Sequence, residues 1–294
     1  VSAFFVQFLG PTLRISTPLV FAALGGMFCE RAGVINIALE GMMLVGAFGA
    51  AVGTLVTHSP WLGSALGMGA GVALAALYGL LVIRLRANQI VAGTAINLLA
   101  LGITPFLCKV LYDVTGSTPN IPIQDRFSSA PLYLCWVAVG LCWFMMIYTR
   151  AGLWLGAAGE SPAAVDAAGI KVNRVRWLAV LLGGALAGMG GASLSIFLSS
   201  SFARNMTGGR GFIALAALIF GKWKPVPAAL AALLFGATEA LQIHLQGVVL
   251  WGSKPVPVQF IQILPYAITM FVLAGFVGRS RPPKALGVPF LRDK

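Results

Sequence analysis

Glu239 lies in the run L-L-F-G-A-T-E-A-L-Q-I-H-L-Q, with Gln242 and Gln246 close to one helical face at i+3 and i+7. A carboxylate in so apolar a stretch is protonated, paired with a cation, or turned toward water. The cluster could line a polar path, make an interhelical bond, or relay protons. Thr94 and Asn97, in N-Q-I-V-A-G-T-A-I-N, are three apart and share a helical face. An Asn there could line a path for a hydroxylated solute or hydrogen-bond a neighbouring helix. No H-E-x-x-H, G-x-S-x-G or paired carboxylates accompany these residues, and His58 and His244 stand isolated. No catalytic residue and no metal site is therefore expected. No G-x-x-x-x-G-K-[ST] occurs, so ATP is not expected to bind this chain through a P-loop, and no other cofactor is expected on it.

These groups are carried by a very apolar chain. Hydrophobic residues make up 59% and charged residues 10% of it, and the mean hydropathy is +0.90. No soluble domain of this size tolerates such a surface, so the sequence predicts an all-α, polytopic transmembrane bundle forming a single domain over 1–294. The net charge of +12 would suggest nucleic acid in a soluble protein. Here most basic residues fall in links between spans or in the tail, where they fix orientation and meet anionic lipid. Cys29, Cys108, Cys135 and Cys142 lie in apolar runs without ligand spacing and read as small core residues. No cleavable leader is expected: Ala3 to Leu9 is apolar but lacks a basic flank and a cleavage site.

A span needs about 20 apolar residues as helix. Nine candidates follow, at 12–29, 36–57, 61–83, 90–112, 130–149, 177–199, 211–222, 226–246 and 258–278. The seventh covers barely half the hydrocarbon thickness, so it either extends back into Ser200–Met206 or is a half-helix. Arg84 and Arg86, Arg150 to Arg176, Lys222 and Lys224, then Arg279, Arg281 and Lys284 mark alternate links and the tail 279–294 as cytoplasmic. The links at 58–60, 113–129 and 247–257 carry few basic residues, whereas Arg204 and Arg210 break the pattern. The count of about nine, within a range of eight to ten, puts the N-terminus outside and the C-terminus inside.

Arg14, near the outer end of the first span, is expected to snorkel to headgroups. Glu30-Arg31-Ala32-Gly33 reads as a tight cytoplasmic corner, and Glu40-Gly41 opens the next helix. Glu40 there either compensates a helix dipole or contacts a partner. The stretch 12–57, ending I-A-L-E-G-M-M-L-V-G-A-F, can be set beside 177–222, with I-A-L-A-A-L-I-F-G-K-W. That echo is either chance or the trace of two inverted repeats, which in transporters frame the solute path. Glycines spaced as Gly67/Gly71 and Gly184/Gly188 predict close helix packing. The run G-G-A-L-A-G-M-G-G at 183–191 fits either close packing or a broken helix.

Between two apolar spans, 150–176 contains a short helix with both ends marked. Ser161 suits the N-cap, Pro162 the first helical position, and Gly169 a stop after the alanines. About two turns do not persist alone in water, so packing must hold it. An ordinary connector with a stray turn is the plain alternative.

The stretch G-E-S-P-A-A-V-D-A-A-G-I resembles the coupling loop of ABC importer permeases for branched-chain amino acids, ribose-type sugars and nucleosides. E-R-A-G-V-I-N-I-A-L-E-G-M-M-L, from Glu30 to Leu44, resembles the signature near the start of the same family, closest to its nucleoside and simple-sugar branch. The signature positions are Glu30, Arg31, Gly33, Asn36, Glu40 and Gly41. The resemblance implies a permease subunit in a bacterial inner membrane, with ATP and Mg held by partner subunits. It implies docking of cytoplasmic ATPase subunits at Glu160, Ser161, Pro162, Ala163, Ala164, Ala167, Ala168 and Gly169. It also implies a second, paralogous permease and an extracytoplasmic solute-binding lipoprotein. Thr94, Asn97, Glu239 and Gln242 are the candidate path residues. The solute leans toward a nucleoside, then a ribose-type sugar, then a branched-chain amino acid. A proton-coupled carrier using Glu239 is the rival reading.

Overall fold

The computed structural model describes residues 2–245, 263 and 281–290. In chain order the helices are α1 (Ser2–Arg31), α2 (Leu39–Thr57), α3 (Pro60–Gly79), α4 (Gln89–Tyr112) and α5 (Ala130–Tyr148). They continue as α6 (Arg150–Glu160), α7 (Pro162–Ala167), α8 (Val172–Ser193), α9 (Arg210–Phe220) and α10 (Pro225–Leu245). The π turns Leu80–Arg84 and Leu194–Leu198 extend α3 and α8. Among the described residues there is no strand, and Ser117 and Ala203 form an isolated antiparallel bridge.

Seven of these helices are long and apolar enough to cross a membrane. Eight of the nine expected spans fall among the described residues, so the count there is one too high. The candidate at 211–222 is an 11-residue helix, about 16 Å long against a hydrocarbon core of about 30 Å. The candidate at 258–278 apart from residue 263, the link at 247–257, Gln246 and Arg279 lie outside the described residues. Arg14, expected to snorkel, is exposed and also meets protein. Its guanidinium donates to the Phe197 carbonyl (3.2 Å) and sits 4.6 Å from that ring's centroid, so it has a protein partner as well as exposure.

The centre is made by α2, α3 and α8, whose glycines meet backbone to backbone. A Cβ on Gly188 would stand 2.6 Å from the Gly67 carbonyl, and one on Gly71 2.9 Å from the Gly188 Cα. The pairs 67/71 and 184/188 thus face each other, which lets α3 and α8 approach closely where dispersion is the main attraction. The run 183–191 is unbroken helix, so close packing accounts for it. The four cysteines, on α1, α4 and α5, are free and buried.

Two places interrupt the helical pattern. At the first, α1 ends on Gly33 (φ +89°), with Gly33 N–H donating to Glu30 O (2.9 Å) and Val34 N–H to Cys29 O (3.0 Å). This is a Schellman stop, which glycine favours. Residues 32–38 then run back into the bundle before α2 begins. Gly41 N–H is capped by Asn97 Oδ1 at 2.8 Å, and Asn97 stands eight residues, about 12 Å, into α4. Glu40, expected at a helix start on the cytoplasmic side, is therefore inside the bundle.

At the second, the non-helical stretch 199–209 enters from the opposite end. Its outer backbone is matched by the α4–α5 link: Thr118 N–H donates to Phe202 O (3.0 Å), Arg204 N–H to Gly116 O (2.7 Å) and Ile121 N–H to Ser200 O (2.6 Å). Irregular backbone is tolerable in an apolar bundle only when protein supplies such partners. Below it α9 starts beside Glu40 and runs to the end where Trp223 meets Glu30. Thus α1, 32–38 and α2 have the layout of α8, 199–209 and α9 turned over. Close approach of Gly25 to Gly183 and of Pro18 to Gly190 makes α1 and α8 antiparallel. The weak echo between 12–57 and 177–222 coincides with this layout.

The link 150–176 holds two helices rather than the one expected. Gly156 and Gly159 let α6 lie against Arg31: a Cβ at Gly156 would be 2.9 Å from Arg31 Nη2. The end bearing Arg31, Arg84 and α6 is the basic end below. Residues 281–290 return to it, with Gly287 N–H on Gly33 O at 3.1 Å.

Candidate functional site

The N-termini of α2 and α9 meet head to head inside the bundle, with one carboxylate between them. Glu40, in the first turn of α2, accepts from Gly209 N–H (2.8 Å) and Gly211 N–H (2.6 Å). The first N–H groups of a helix have no partner within it and carry partial positive charge. A buried anion at two such ends satisfies donors that would otherwise be orphaned. Of the two roles open to Glu40, the geometry displays dipole compensation, and chiefly of a helix 170 residues away in sequence.

Next to that junction, Arg210 pairs with Glu239 of α10. Both side chains are about a quarter exposed, so neither is sealed in the core and neither stands alone at depth. Gln242 is half-buried one turn further along α10, toward the same opposite end. Thr207 is fully buried with no partner for its hydroxyl, and the Arg210 Nε is likewise buried and unpaired. Arg204, Asn205 and Gly208 on the non-helical stretch are exposed. A polar, partly accessible seam therefore runs along 203–210 beside α10.

Thr94 and Asn97 are not brought to that seam together. Thr94 is exposed, and its hydroxyl donates to Val91 O (2.9 Å) within its own helix. Asn97 is buried, with Nδ2 donating to Ile37 O (3.0 Å) while Oδ1 caps α2. Its amide thus makes the interhelical bond that was one of its two expected roles.

Arg204, Arg210 and Thr207 escape a reading by span and link. The signal lay in two arginines that violate the positive-inside alternation beside Gly208-Gly209. They break it because they occupy a discontinuity within the bundle. At the opposite end, Arg14, Arg126, Phe127 and Ser128 help line a cavity of about 290 Å³.

At the basic end, α7 is held through one side chain. Val165 is buried against Ala158 of α6 and Val172 of α8. A Schellman stop closes the helix: Ile170 N–H donates to Val165 O (3.1 Å), Gly169 N–H to Asp166 O (2.9 Å), and Gly169 has φ +82°. Pro162 occupies the first turn, but the Ser161 side chain makes no cap bond, unlike the expectation. Glu160, Ser161, Ala163, Ala164, Ala167, Ala168 and Gly169 are exposed. The helix thus presents a face of small residues away from the bundle.

Of the signature positions, Glu30, Arg31, Gly33 and Asn36 lie at the corner beneath, while Glu40 and Gly41 lie inside the bundle. Glu30 is buried, with Oε2 accepting the Trp223 indole N–H at 2.6 Å, and so ties α1 to the α9–α10 turn. Asn36 is buried with Nδ2 at 3.2 Å from Cys29 Sγ. Arg31 follows Glu30 under α6, its backbone next to Gly159.

Two known permeases resemble this chain over almost its whole length. The nucleoside ABC transporter permease protein NupC of Lactococcus lactis is 39% identical, covering 96% of each chain. The guanosine ABC transporter permease protein NupQ of Bacillus subtilis is 38% identical, again over 96% of each. A second permease of that bacterium, the guanosine ABC transporter permease protein NupP, is 26% identical over 93% of this chain and 83% of its own. Residues 9–273 match the family described as the permease component of the branched-chain amino acid transport system. By these matches, the chain belongs to that family of ABC transporter permeases.

Proposed function

We propose that this chain forms the translocation path of a bacterial inner-membrane importer for a nucleoside. The observation that carries the substrate is the pair of relatives at 39% and 38% identity, whose names specify a nucleoside and guanosine. The seam of Arg204, Asn205, Arg210 and Glu239 supports a path for a polar solute, since hydrogen-bonding groups at depth persist in lipid only with partners or water. Gln242 continues that seam. Glu239 has Arg210 as its partner, which speaks against a lone proton-carrying carboxylate.

The basic end is cytoplasmic in this reading, and the exposed alanines of α7 accept the groove of an ATPase subunit. ATP and Mg act on that subunit. Two permeases of Bacillus subtilis match this chain, NupQ and NupP, which supports a paralogous permease as the second half of the pore. A solute-binding lipoprotein delivers from the opposite end. Closure of the ATPase pair moves α7, and the bundle changes from outward- to inward-facing because the two packings bind the closed ATPase unequally.

The test is uptake of labelled guanosine by vesicles holding the chain with its partner permease, ATPase and binding protein. Competition by unlabelled guanosine and uridine, and none by ribose or leucine, is expected. Competition by ribose or leucine instead moves the substrate to those classes. Collapse by a protonophore with ATP present removes the importer reading in favour of a proton-coupled carrier.

A further inference from the structure

Residues 281–290 lie across the basic end and touch three separate elements. Ala285 N–H donates to Gly159 O at the end of α6 (2.8 Å), and Gly287 N–H to Gly33 O in the α1–α2 corner (3.1 Å). Arg176 of α8 grips both sides, with Nε on Ala32 O (3.1 Å) and Nη1 on Val288 O (2.8 Å). Arg176 is itself buried. Phe290 then packs on the Ala158–Val165–Val172 cluster, the same cluster by which α7 is held.

The fit is tight at both glycines. A Cβ on Gly33 would meet Arg176 Nη2 at 2.9 Å and Ala285 O at 3.1 Å, and one on Gly287 (φ +80°) would meet Ile35 Cδ1 at 2.8 Å. The family signature of the α1–α2 corner is thus shaped around this segment as well as around its own turn. A displacement of α7 has a continuous packed route through Val165, Phe290 and Gly287 to the corner, and from there along 32–38 to Glu40. Coupling between distant sites needs such a chain of contacts.

We propose that residues 281–290 are a transmission strap joining α7 to the α1–α2 corner, with Arg176 as the positioning residue that clamps strap and corner together. The proposal rests on the reading that the ATPase docks at α7. It assigns the strap to carrying the stroke and not to holding the ATPase.

The experiment uses the whole importer purified with its ATPase and reads hydrogen exchange at 32–38 before and after trapping the ATPase with ATP and vanadate. In the unaltered complex, trapping changes exchange at 32–38. Ala285→Pro deletes the donor to Gly159 O, and it reduces that change by about fivefold or more while the ATPase still co-purifies. Ala285→Gly keeps the donor and the full response. If Ala285→Pro is not recovered folded, Arg176→Lys, which keeps the charge and loses the planar fork, carries the same expectation. The proposal is overturned by a full response in the strap variant, by loss of the ATPase from it, or by no response in the unaltered complex. ATPase retention on Ala164→Arg removes the docking reading alone, because the exchange response is measured independently of it.

Discussion

Glu40 does two jobs that only a carboxylate of its length can combine. It sits in the first turn of its own helix and caps Gly209 and Gly211 of another. Glu40→Ala leaves the buried Gly211 N–H and the part-buried Gly209 N–H without partners, and a buried unpaired donor costs about 1–3 kcal/mol. The expected result is a large fall in the detergent melting temperature, with Glu40→Gln falling less because its amide oxygen still accepts. Arg210 and Glu239 make a different prediction. Removing either alone strands a charge beside the seam, at a cost below the about 3–5 kcal/mol of a fully buried pair because both side chains are about a quarter exposed. Arg210→Met with Glu239→Met should restore much of the expression and stability lost by either single change. Guanosine uptake should stay low, since the polar seam is gone; uptake recovering along with stability would make the pair structural. At this scale the sequence was half legible. Glu239 stands out as a carboxylate among apolar residues, but its partner 29 positions upstream becomes visible only once the break before α9 is known. Asn97 likewise could not be told from a path residue until Gly41 was found against it.

At the scale of elements, the long helices follow from apolar runs of spanning length, and α3 with its π turn covers 60–84 where 61–83 was expected. The short α9 was legible as too short to cross. The helix α6 was not, because R-A-G-L-W-L-G-A-A-G-E carries three glycines that disfavour helix by about 1 kcal/mol each. Those glycines are what let it press on Arg31 and the α5 end, so packing overrides propensity. The same logic makes Gly188→Leu severe: its side chain has to displace the Gly67 carbonyl, and overpacking of that kind costs about 1–3 kcal/mol or more. Separation of α3 from α8 should appear as loss of a monodisperse peak on gel filtration. For α7, Ala164→Arg should remove the ATPase from the purified complex with that peak unchanged, since Ala164 faces away from Val165 and the bundle. Co-purification at the normal ratio would show that the exposed alanines are not the dock.

Within the described residues, α1, 32–38 and α2 mirror α8, 199–209 and α9, and the two sets meet where α2 and α9 begin. The join is extensive, since α8 packs backbone to backbone on α1, α2 and α3, so a change between two packings has to slide or rock that whole interface. Rocking has a direction only if the two ends face different compartments. The basic end gathers Arg31, Arg84, α6, α7 and the strap, while the ribbon of 116–121 on 200–204 closes the other. Single cysteines at Ala164, Lys284 and Thr115 test this, since all three positions are exposed. The four native cysteines are buried and give little background. A membrane-impermeant maleimide on intact cells should label Thr115→Cys and leave Ala164→Cys and Lys284→Cys untouched; inside-out vesicles should reverse the pattern. Labelling of Ala164→Cys from outside would put the small-faced helix beyond the reach of any ATP-driven subunit, and the direction of transport argued from the basic end would fall with it.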